Sequence, residues 1–332
     1  VGIALFYEIG FVLLIPLVFT IAAEAKIPLL EVGIPMAAAL SVTHGFLPPH
    51  PGPTAIAIIY NADIGVTLVY GAIIAIPTAI VAGPVFYNFT KGINPEIPKG
   101  LYNPKIFEDH EMPGFGVSVF TALVPVVLMA ASAIAKLALD QSSPVAVALE
   151  FLGQPDMALT ISVAIAVYTF GLARGKKMDE IMNTVKDAIL AIAMILLIVG
   201  AGGALKQILI DSGVGTYIGT LVADASLSPL VLAWLVAAVI RTACGSATVA
   251  ALTAGGIAAP ICAATGANPE LMVLATGAGS LIFSPPNDPG FWLFKEFFGL
   301  TVKETVRTWC ALETIIAIMG LIGVLVLNTV VA

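Results

Sequence analysis

The chain has 332 residues, 59% of them apolar types and 11% charged, with a formal net charge of −7 and a mean hydropathy of +1.04. A soluble globular chain is about 45–50% apolar and about 25% charged, and it could not hide this much apolar surface from water. A soluble enzyme, a nucleic-acid binder and a disordered tail are therefore excluded, and the lipid bilayer is the expected solvent.

Taken in chain order, the apolar segments predict an all-α polytopic membrane protein. Residues 1–22 are apolar but interrupted by Glu8, Gly10 and Pro16. They lack the basic n-region of a signal peptide. Because the chain opens on Val1 rather than Met, an N-terminally truncated chain is expected. Residues 32–60 are apolar at both ends and broken between His44 and Pro53. Residues 66–87, 116–139, 158–173 and 187–205 read as spans. Residues 229–263 are too long for one span of about 20 residues and suit a hairpin. Residues 271–294 break at Ser284 to Pro289, and 308–330 close the chain.

Charge orients these spans. The polar stretches 88–115 and 174–186 carry Lys91, Lys99, Lys105, Arg174, Lys176, Lys177 and Lys186, whereas 140–157 has no Lys or Arg. The positive-inside rule makes the first two cytoplasmic and the third external. Eleven of the 14 basic residues then fall on one side, with Lys136, Lys206 and Arg241 as exceptions.

The two broken segments run in opposite directions in this topology. Their Pro-Gly breaks, Pro51-Gly52 and Pro289-Gly290, are 238 residues apart, and the same shift carries Glu8 onto Ser246. This is the pattern of inverted-topology repeats with re-entrant hairpins and two broken helices. It divides the chain into a truncated first repeat (1–87), a loop with linking spans (88–186) and a second repeat (187–332). The counterpart of residue 187 would precede the chain by about fifty residues.

The breaks are where chemistry is expected. Pro48, Pro49, Pro51 and Pro53 remove four amide donors, and irregular backbone at membrane depth is tolerated only against protein or a water-filled cavity. A half-helix from Thr54 would aim its positive end at an anion. Asp288 before Pro289 suits an N-cap for a helix over 290–298, and a membrane-depth carboxyl can also carry a proton. Glu8, an acid inside an apolar run, invites the same reading. Arg241 could attract a carboxylate, but pairing with Glu8 or Asp288 is its expected role. His44 and His50 flank the first break and can titrate near neutral pH; His110 lies in a polar loop and carries no expected role. Gly245, Ser246 and Thr248 put small residues and hydroxyls at a hairpin tip, which serves close helix approach or the grip of a polyol.

Other chemistries lack support. Cys244, Cys262 and Cys310 form no CxxC pair. The glycine clusters at 200–203 and 213–215 lack the P-loop and dinucleotide-binding contexts. No HExxH or nucleophile elbow occurs. No metal, cofactor or nucleic-acid partner is expected.

At the breaks the chain resembles the gluconate permease family, the gluconate:proton symporters, within the broader ion transporter superfamily. The resemblance rests on Phe6-Tyr7-Glu8-Ile9-Gly10-Phe11-Val12-Leu13, on the run from Ser41-Val42-Thr43-His44 to Pro51-Gly52-Pro53-Thr54, and on Gly245-Ser246-Ala247-Thr248-Val249-Ala250. Gly255-Gly256-Ile257-Ala258-Ala259-Pro260 and Asn287-Asp288-Pro289-Gly290-Phe291-Trp292-Leu293-Phe294-Lys295-Glu296 complete it. It implies proton-coupled uptake of gluconate or a related sugar acid across the bacterial inner membrane, by a homodimer with scaffold and transport domains. The expected substrate-binding residues are Thr43, His44, His50, Gly52, Thr54, Gly245, Ser246, Thr248, Ser284 and Asn287, and the expected proton carriers are Glu8 and Asp288. One departure bears on substrate: Ser284-Pro285-Pro286 stands where the family commonly shows Ser-His-Val. The alternatives are a symporter for D-serine, glycerate or a hexuronate, or a passive channel.

Overall fold

The computed structural model describes residues 7–95, 112–140, 142–186, 189–190, 193, 211 and 228–331. Among them every regular element is helical. The expected span 187–205 falls almost wholly outside the described residues, as do Lys99, Lys105 and His110.

Helix α1 runs without interruption over Tyr7–Ala25. A lone Gly or Pro does not break a membrane helix when a neighbour packs against it, and α1 packs on α2, Leu29–Phe46. The chain then does break. After the Leu47 amide donates to the Thr43 carbonyl, the helix stops, and α3 begins as Pro51–Tyr60. Its start is Pro51 rather than Thr54, because proline fits the first helical turn, where its missing N–H is no loss. Helix α4, Ile64–Ile80, passes into a π-turn at Val81–Val85, which contains Pro84.

A second compact unit comprises Ile64–Val66 and Lys105–Ile198. It holds α5 (Phe115–Ala138), α6 (Pro144–Leu152) and α7 (Pro155–Ala166), the last extended by a π-turn to Gly171. The stretch read as an external loop, 140–157, thus contains a nine-residue helix, capped by Ser143 with Pro144 at its first turn. The α6–α7 junction lies tight on α5: a Cβ on Gly153 would fall 2.3 Å from that of Ser132.

The first unit, Val1–Asp63, Thr67–Pro104 and Val199–Ala332, resumes with α8, Pro229–Cys244, and α9, Ala247–Thr265. Only Gly245 and Ser246 join them, and Gly245 makes the reversal with φ +68°, a conformation that strains other residues. Helix α10, Pro269–Gly279, packs on α2, α3, α8 and α13 and buries every residue from Leu271 to Gly279. Its crossing with α2 depends on missing side chains: a Cβ on Gly277 would lie 2.1 Å from the Gly45 carbonyl oxygen. After a second break come α11 (Pro289–Phe297) and α12 (Val302–Thr305), then a π-turn and α13 (Ala311–Val331). Helices α3 and α11 begin 238 residues apart, and so do α4 and α12.

Five helical segments among the described residues are long and apolar enough to cross a membrane. Ile73, Ile76, Ile80, Ile322 and Val326 stand exposed on α4 and α13, as lipid-facing side chains do. The chain is an all-α, multi-pass membrane protein.

Candidate functional site

The second break brings a charged network together. Residues 283 and 284 take positive φ, +64° for Phe283 and +33° for Ser284. Left-handed backbone costs non-glycine residues about 1–2 kcal/mol each and must be held by its surroundings. Ser284 supplies that hold. Its hydroxyl donates to Asp288 and accepts from Trp309 Nε1 at 2.6 Å, and its carbonyl accepts from Cys310 Sγ at 3.3 Å. Asp288 is the N-cap of α11, its Oδ1 accepting from the Gly290 amide at 2.9 Å, while its Oδ2 receives both Ser284 and the Arg241 guanidinium.

Arg241 is buried at 2% exposure in the last turn of α8, where the helix dipole favours a cation. Only one of its nitrogens meets Asp288; Nε and Nη1 are buried without partners among the described residues. The same holds for the Tyr7 hydroxyl and His44 Nδ1. A buried polar atom left unpaired costs about 1–3 kcal/mol, so four in one place demand a reason.

They border one cavity of about 160 Å³, lined also by Ser41, Gly245 to Thr248, Pro289, Gly290 and Glu313. At about 30 Å³ per water molecule, it has room for about five waters or one small organic solute. The N-termini of α9 and α11 both open on it, through Ser246, which caps Val249, and Asp288. Helix N-termini and arginine side chains both favour anions; here the Asp288 carboxylate already caps α11 and pairs with one Arg241 nitrogen. Trp309 and Tyr7 form an aromatic wall, their ring centroids 4.9 Å apart.

The residues expected from sequence divide. Glu8, His44, Gly245, Ser246, Thr248 and Asp288 line the cavity. Ser284 stands behind it, holding Asp288. Asn287 packs against Gly245, where an added Cβ would lie 2.6 Å from it, and donates to the Ala243 carbonyl at 3.2 Å. His50 is fully buried as the N-cap of α3, its Nδ1 accepting from the Gly52 amide at 3.3 Å; its ring lies 4.4 Å from that of His44. Gly52 and Thr54 sit in that first helical turn. The Thr43 hydroxyl donates to the Leu40 carbonyl of its own helix. Thr43, His50, Gly52, Thr54 and Asn287 are not among the cavity-lining residues.

Sequence reasoning passed over Trp309 and Glu313, and singled out Tyr7 and Ser41 only as parts of motifs. Glu313 is 1% exposed and accepts from the Ser41 hydroxyl. It is an acid within the apolar run 308–330, so the rule applied to Glu8 would have found it. Nothing in the sequence marks Trp309.

Relatives place the chain in a family. The GntP family permease model matches residues 1–330. A high-affinity gluconate transporter of Escherichia coli (strain K12) is 63% identical over 331 residues, 100% of this chain and 76% of the relative. The Gnt-II system L-idonate transporter of the same organism is 56% identical, covering 99% of this chain and 75% of the relative. A gluconate permease of Bacillus subtilis (strain 168) is 50% identical, covering 100% and 76%. The crystal structure of the Alcanivorax borkumensis YdaH transporter matches at TM-score 0.62 and 19% identity, over 99% of this chain and 74% of that one, which speaks for the fold alone. With a family-model match over residues 1–330 and an all-helical membrane fold among the described residues, this chain belongs to the GntP family of permeases: it is a transporter, not an enzyme.

Proposed function

We propose that this protein carries gluconate, or a closely related sugar acid, together with protons across the bacterial inner membrane. One observation carries the reading: the unpaired Nε and Nη1 of buried Arg241 border a cavity shared with two helix N-termini. Nε–H and Nη1–H lie on different edges of the planar guanidinium, so they offer two separate charge-assisted donors, one to a carboxylate and one to a neighbouring hydroxyl. The Tyr7 hydroxyl, His44 Nδ1 and the hydroxyls of Ser246 and Thr248 offer partners to a polyol chain, and the aromatic wall offers an apolar face to its C–H edge. The names of the relatives, gluconate and L-idonate transporters, agree with a polyhydroxy monocarboxylate.

The 238-residue spacing of α3 from α11 and of α4 from α12 supports two inverted repeats. Alternating access then follows from motion of one helix group against the rest around the cavity. The working unit is a homodimer, which cross-linking in native membranes tests through the appearance of a doubled mass.

Uptake of radiolabelled D-gluconate into proteoliposomes tests the function. An inward proton gradient should drive accumulation above the external concentration, and a protonophore should abolish it. Saturable uptake indifferent to the gradient would rule out proton coupling, and preference for D-serine or glycerate in competition would rule out the substrate class.

A further inference from the structure

Building on the reading of this cavity as a proton-coupled anion site, we infer that Glu313, with Ser41 as its hydrogen-bonding partner, takes up the proton that accompanies each substrate anion.

The cavity holds three carboxyl groups and one permanent cation. Asp288 comes from the cap of α11, Glu8 from α1, Glu313 from α13 and Arg241 from α8. His44 faces them from α2 and Tyr7 from α1, and Cys310 adjoins Glu313 in the turn before α13. With all three carboxyls ionised, an incoming anion meets a site that is already net negative. One proton taken up per anion leaves the charge of the cavity unchanged, which makes anion and proton arrive together.

The three acids are not equal candidates. Asp288 is committed: one oxygen caps α11, and the other holds both Arg241 and Ser284. Protonating it would strip Arg241 of its counter-ion. Glu8 is half-buried at the cavity edge. Glu313 is 1% exposed, and no Lys, Arg or His nitrogen lies within ion-pair distance of it among the described residues. Its hydrogen-bonding partner is the neutral hydroxyl of Ser41, across 272 residues of sequence. A hydroxyl both donates and accepts. It can donate to the carboxylate, as here, and turn to accept from the carboxylic acid. The pair is therefore satisfied in both protonation states, as a buried acid that must load and unload a proton requires.

The test is the affinity of the reconstituted protein for D-gluconate between pH 6 and pH 8, measured with proton-driven uptake. In the parent protein, linkage of one proton to one anion tightens Kd by about tenfold per unit fall in pH on the limb where the proton is taken up. Glu313→Gln mimics the loaded acid. It should bind with a Kd that no longer follows pH, continue to exchange internal for external gluconate, and lose accumulation against a gradient. Parent-like pH dependence with retained accumulation in Glu313→Gln would overturn the assignment. Should that variant fail to reach the membrane, Ser41→Ala decides: a displaced pH profile supports the pair, and an unmoved profile refutes it. A parent protein that itself ignores the proton gradient would instead defeat the coupling reading, which separates the two failures.

Discussion

Arg241 and Asp288 share one bond but hold different duties. Asp288 caps a helix and neutralises a buried cation; Arg241 keeps two donors for something else. Asp288→Asn separates these roles, since Asn caps as well as Asp but leaves the guanidinium without a counter-charge. Breaking a buried ion pair by removing one partner is destabilising by about 3–5 kcal/mol. A lower melting temperature in detergent is the expected result, and an unchanged one would show that the pair contributes little. Arg241→Lys keeps the cation near Asp288 and loses the Nε and Nη1 donors that stand unpaired at the cavity. Gluconate binding should weaken tenfold or more by titration, as expected for about 2 kcal/mol of charge-assisted hydrogen bonding, with the protein still folded. The acids at 8 and 288 were legible in the sequence because charge in an apolar run is conspicuous, and Glu313 obeys the same rule. Trp309 was not legible, because an aromatic residue in a membrane helix is ordinary until its Nε1 is seen on Ser284.

Among the elements, the breaks and their caps follow from local chemistry. Proline without an N–H ends one helix and opens the next, so Pro51, Pro229, Pro269 and Pro289 each stand in a first turn. The caps 238 residues apart differ in kind, an imidazole at His50 and a carboxylate at Asp288. The anionic cap has the arginine; the first break keeps its histidine inside the protein. This asymmetry explains why His50 and Gly52, chosen for proximity to a break, are not among the cavity-lining residues, while their counterparts Asp288 and Gly290 are. The tip of the α8–α9 hairpin gives a sharper prediction. Gly245→Ala places a Cβ 2.6 Å from Asn287 at φ +68°, so the tip must move away from α11. Gluconate uptake should fall by at least tenfold at unchanged membrane expression. Ser246→Ala, which loses the α9 cap, should lower stability by about 1 kcal/mol in a thermal-shift measurement.

For the whole molecule, composition set the solvent. A mean hydropathy of +1.04 places the chain in a bilayer whatever its details, because no soluble fold could bury so much apolar surface. Periodic apolar runs, proline breaks and the signature residues around them located most helices among the described residues and the family. Sequence also set the places where irregular backbone must be satisfied by packed protein or a water-filled cavity at membrane depth. What it could not contain was the meeting of distant side chains. Arg241 reaches Asp288 across 47 residues, Tyr60 reaches Thr276 across 216, and Ser41 reaches Glu313 across 272. Propensity and hydropathy are sums over neighbours in the chain, whereas these contacts depend on how α2, α8, α10 and α13 cross, down to the Gly45–Gly277 approach. Tertiary packing alone therefore decided which polar groups share the cavity, which are consumed by one another, and which stay unpaired among the described residues.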